Sequence, residues 1–87
     1  MVDVKESVSR GDTMTLDQLQ LGKRARVIRV HGGRGLRRNL TQMGIHPGDI
    51  VYLTQGGAFS GPVVIEVNGS KIALGRGVAR KVLIDPL

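Results

Sequence analysis

Asn68-Gly69 lies between two runs of alternating residues, VVIEV at 63–67 and SKIAL at 70–74. This dipeptide suits the two-residue type I′ turn, in which both positions take positive φ. Such a turn also sets the register of the strands it joins. Pairing Val67 with Ser70 places Glu66 opposite Lys71, Ile65 opposite Ile72 and Val63 opposite Leu74. One face of the hairpin is then apolar, and the other carries an opposite-charge pair. Any fold available to this chain has to bury that apolar face.

The remaining segments read as short elements. Thr15 suits the N-cap of a short helical turn, with Gln18 in capping-box position. Met14 and Leu19 then form a hydrophobic staple, and Gly22 ends the turn. RARVIRV at 24–30 alternates as a strand until Ile28 and Val30 break the pattern, which predicts a bulge near Val27–Arg29. A glycine-rich loop, 31–35, follows. Leu36, Leu40 and Met43 then fall on one helical face. Gly44 is the expected C′ residue, with Ile45 packing back on Leu40 in a Schellman motif. Pro47-Gly48 makes the next turn. IVYLT at 50–54 reads as a strand and 55–61 as a loop. GRGVAR at 75–80 reads as a turn or a single helical turn, and VLI at 82–84 as a last short strand.

Eighty-seven residues make one domain, assigned to 14–87, with a core for no second one. Residues 1–12 are polar and without period and read as a flexible tail. Tyr52 and Phe59 are the only aromatic residues, so the core is aliphatic. The expected core is Ala25, Val27, Leu36, Leu40, Met43, Val51, Leu53, Val63, Ile65, Ile72, Leu74, Val82 and Ile84. Five short strands and one helix, with one buried face, suggest a small barrel, since closure removes unpaired edges. An open α+β sheet is the alternative. No apolar run reaches the length of a membrane span, and 1–12 lacks the apolar segment of a secretory signal, which points to the cytosol.

Charge is uneven along the chain. Residues 1–17 hold four acids against two bases, whereas 18–87 hold eleven basic side chains against Asp49, Glu66 and Asp85. Seven of the eleven fall within 22–38 with no acid among them. Lys71, Arg76, Arg80 and Lys81 form a second acid-free group. Such a surface favours an anionic partner. Arg34, Arg37 and Arg38, on the exposed side of the helix and in the loop before it, are the candidate contacts.

Other chemistries lack their residues. There is no cysteine, and His31 and His46 are the only histidines, too few for a dedicated metal site without scattered carboxylates. Gly33-Arg34-Gly35 and Gly75-Arg76-Gly77 resemble phosphate loops, but Arg38 and Arg80 stand where the dinucleotide fingerprint needs its third glycine. No catalytic arrangement has support, so no catalytic, cofactor-binding or metal residue is assigned. Nucleic-acid binding is the rival reading: the charge suits it, while two aromatics offer little for base stacking.

The stretches TLDQLQLGKRARV, GGRGLRRNLTQMGIHPGDIV and GPVVIEVNGSKIALGRGVARKVLI, from Thr15 to Ile84, resemble the FeoA family of bacterial ferrous-iron uptake. The most specific parts are Leu40 to Gly48 and Ile72 to Ala79. The resemblance implies a mainly β, SH3-like barrel of about five strands, with an α-helix inserted at about residues 35–43 and a short N-terminal helical turn. It implies no catalysis and no cofactor, and a family-level link to transition-metal ions. It also implies a supporting role for FeoB, the membrane GTPase that moves Fe²⁺, with the chain cytoplasmic, peripheral at the inner membrane through FeoB, and not inserted. Related domains end iron-dependent repressors, but no helix-turn-helix stretch is present. Homo-oligomerisation stays open.

Overall fold

The computed structural model describes residues 13–56 and 61–87. In chain order these form β1 (Met14–Thr15), a 3₁₀ turn (Leu16–Gln18), β2 (Arg24–Val30), α1 (Arg34–Met43) and β3 (Ile50–Gln55). β4 (Val63–Val67), β5 (Ser70–Leu74), α2 (Arg76–Ala79) and β6 (Val82–Pro86) follow. The strands make one antiparallel sheet in the order β1-β6-β2-β3-β4-β5. The fold is mainly β, as expected.

The β4–β5 hairpin has the register set by its turn, with Asn68 and Gly69 at φ +51° and +84°. The bulge falls between Val27 and Arg29, so Ile28 is the extra residue and turns outward. A second bulge interrupts β3, where the Thr54 hydroxyl donates to the Val64 carbonyl at 3.2 Å.

Alternate residues of β2 to β6 feed one hydrophobic cluster, which Leu16, Leu19, Leu40, Ile45 and Ala79 complete. Eleven residues of the expected core are buried, and Leu36 is half-buried against them. No polar side chain shares this core among the described residues.

One expectation needs correction, and two are made sharper. Met43 is 37% exposed. It is the last helical residue, and the chain turns back there, so Ile45 takes the core position that the helical stripe had assigned to Met43. The helix also starts earlier, at Arg34, because Gly33 caps it and accepts the first bond from Arg37 N–H at 3.1 Å. The strands number six rather than five. Met14 and Thr15 pair with Ile84 and Leu83, a non-local contact too short to leave a periodic pattern. Residues 1–12 and Phe59 lie outside the described residues.

Candidate partner-binding surface

The helix α1 sets the position of the three candidate arginines. Leu40 and half-buried Leu36 fix its inner face. With 100° between successive residues, Arg34 and Arg38 then project away from the core and Arg37 to one flank. All three are exposed. Arg34 is the first helical residue, and the first turn holds no acid. Arg34 and Arg37 thus add positive charge to the first turn, the positive end of the helix dipole, with Arg38 just beyond it, an arrangement that opposes helix formation. Local electrostatics do not account for arginine at these positions.

The other Gly-Arg-Gly stretch has the same local structure. Gly75 caps α2, Arg76 is its first residue, and Ala79 N–H returns to the Gly75 carbonyl at 3.0 Å. Val78, like Leu36, packs against the core. In both places an extended glycine precedes a helix whose first residue is an exposed arginine.

Arg37 does not stand alone. With Thr41, one turn later, it forms one wall of an open groove of about 570 Å³. Arg29, Val30 and His31, at the end of β2, form the other wall, and Ile45 and Pro47 lie beyond the helix stop. Arg34 and Arg38 are not among the lining residues. The structure therefore divides the three candidates: one faces a groove and two face open solvent.

The composite groove was not legible from the helix alone. Arg29 and His31 reach it through the end of β2, where the pairing with β6 shifts by one residue at the bulge and matches Val30 with Val82. The same pairing joins the two acid-free stretches of the sequence, since His31 N–H donates to the Lys81 carbonyl at 2.6 Å. The bulge at Val27–Arg29 was the one local sign of this geometry.

Acids are absent from the groove lining. In the adjoining turn Asp49 is already occupied. It accepts His46 N–H at 2.8 Å and sits 3.2 Å from His46 Nδ1. The backbone bond is the main cause that holds its carboxyl below the ordinary aspartate range; burial opposes it, and the His46 and Asn68 side chains add smaller help. Among the described residues, His46–Asp49 is the one contact within ion-pair distance, and no described arginine or lysine lies that close to a carboxylate. No three His, Cys, Asp or Glu residues come together there as a metal-holding group. No described helix is long and apolar enough to cross a membrane.

Residues 14–86, almost the whole described chain, match the FeoA domain. The chain belongs to the FeoA family. It is 34% identical over 64 residues to a Methanocaldococcus jannaschii protein provisionally named Fe(2+) transport protein A, covering 74% of this chain and 76% of that one. Among solved structures, an iron uptake regulatory protein, FeoA, superposes with a TM-score of 0.81 at 29% identity, over 86% of this chain and 99% of its own. Stenotrophomonas maltophilia FeoA complexed with zinc, described as a prokaryotic SH3 domain protein, gives a TM-score of 0.72 at 29% identity, over 83% and 89%. The sheet order and inserted helix of this FeoA-family chain are thus an SH3-like fold, and the family is one of accessory transport proteins.

Proposed function

We propose that the chain is a non-catalytic accessory protein of ferrous-iron uptake that acts by binding a FeoB-like membrane GTPase transporter. It works at the cytoplasmic side of the inner membrane and is held there through that partner. Fe²⁺ is the transporter's cargo, and this chain needs no site of its own for it. The surface around Arg34, Arg37 and Arg38 makes the contact. The observation that carries this reading is the unneutralised arginine cluster at the positive end of α1, in a chain of the FeoA family. Positive charge kept where it opposes the local structure fits recognition of an acidic protein face.

The test is binding of the full chain to a FeoB-like transporter reconstituted in lipid nanodiscs, beside binding to a mixed-sequence oligonucleotide, both at physiological salt. The adaptor reading expects saturable binding to the transporter and weak, steeply salt-dependent binding to the oligonucleotide. Tight oligonucleotide binding with none to the transporter overturns it.

A further inference from the structure

We infer that the groove between α1 and the end of β2 is the gripping site of this surface, and that it takes an extended acidic segment of the partner, one carboxylate next to an apolar side chain. The inference rests on the adaptor reading and narrows it. Arg34 and Arg38 attract the partner, whereas Arg29 and Arg37 hold it.

The lining carries the argument. Arg29, at the end of β2, and Arg37, on α1, both line the groove, both exposed and without a carboxylate partner among the described residues. A guanidinium offers a planar set of donors that matches a carboxylate. Beside the arginines the lining is mixed: half-buried Val30 and exposed Pro47 add apolar surface, backed by buried Ile45, while His31 and Thr41 are polar. This combination suits a segment that alternates acidic and apolar residues. A phosphate backbone would engage the arginines but leave the apolar surface of Val30 and Pro47 uncovered. No Phe, Tyr or Trp lines the groove, and His31 is its single aromatic ring, so it offers little for the serial base stacking that single-strand binders use. The walls are also firmly set. Val30 is paired into the sheet with Val82, and Ile45 is held by its bond to Leu40 at 2.9 Å.

Two experiments test this separately from the adaptor reading. In the first, the full chain is titrated with a blocked octapeptide alternating glutamate and leucine, and with its glutamine counterpart, while backbone amide shifts are followed by NMR. The glutamate peptide should move the amides of His31, Arg37, Thr41 and Ile45. The glutamine peptide should bind at least about fivefold more weakly. Equal binding of the two peptides, shifts centred elsewhere, or no shifts at millimolar peptide overturns the groove assignment.

The second compares two doubly substituted chains of equal charge against the nanodisc transporter. Arg29→Ser with Arg37→Ser should lose about tenfold or more in affinity, chiefly through faster dissociation. Arg34→Ser with Arg38→Ser should lose no more than about threefold, through slower association. Equal losses, or a larger loss from the second pair, overturn the proposal. A wild-type chain that fails to bind the transporter overturns the adaptor reading instead, and the peptide titration still decides the groove.

Discussion

Ile45 donates its backbone N–H to the Leu40 carbonyl at 2.9 Å, and the two side chains are both buried. Gly44, between them in the chain, donates to the Thr41 carbonyl at 3.0 Å. Together these bonds form the Schellman motif that ends α1 and returns the chain to the core. They also set one end of the groove, because Ile45 is part of its lining.

Gly44 sits at φ +98°, and a Cβ built there would meet nothing within 4 Å. Any penalty for alanine is therefore one of backbone conformation alone. Gly44→Ala should destabilise by about 1 kcal/mol. Gly35, inside the helix with equally open surroundings, should respond the other way, and Gly35→Ala should stabilise by about 0.5 kcal/mol. Urea denaturation of both variants checks the pair; equal effects would remove the account of the helix stop.

The helical stripe Leu36–Leu40–Met43 divides in the same manner. Leu40 is 0% exposed and Met43 37%. Leu40→Ala should cost about 2–5 kcal/mol, whereas Met43→Ala should cost less than about 1 kcal/mol. Thermal or chemical melts distinguish them, and comparable losses would place Met43 back in the core.

How much of this was legible in the sequence follows from range. The hairpin register, the bulge before Arg29 and the stop at Gly44 are written by residues within a few positions of one another, and turn chemistry determines them. Met43 was misplaced because helical period says nothing of where a helix ends against its neighbours. The pairing of Met14 with Ile84, and the meeting of His31 with Lys81, join residues far apart in the chain. No local pattern encodes them. The arginines of α1 were legible as a surface; the groove that sets Arg37 apart from Arg34 and Arg38 was not, since β2 and the post-helix turn supply most of its lining.

Asp49 gives the fold a dependence on acid. Its carboxyl titrates below the ordinary value because the charged form accepts the His46 N–H. A group with a depressed folded pKa contributes stability in full above its unfolded value, about 3.9 for aspartate. That contribution disappears as pH falls through the folded value. Asp49→Asn should therefore be less stable than wild type near neutral pH, with the gap closing below about pH 4. Denaturation midpoints across that range check it. A gap independent of pH would show that the carboxylate charge does no work in this turn.

Reversing the charge of Arg37 and Arg38 together probes the central claim, that an arginine surface on α1 meets an acidic partner. Both side chains are exposed and neither supports the core, so each reversal should change stability by no more than about 0.5 kcal/mol. The decisive measurement is the association rate of Arg37→Glu/Arg38→Glu with the nanodisc-held FeoB-like transporter at low and physiological salt. The account predicts association slower than wild type by about tenfold at low salt, with the difference shrinking as salt rises. A folded double variant that associates as fast as wild type at both salt concentrations would contradict it.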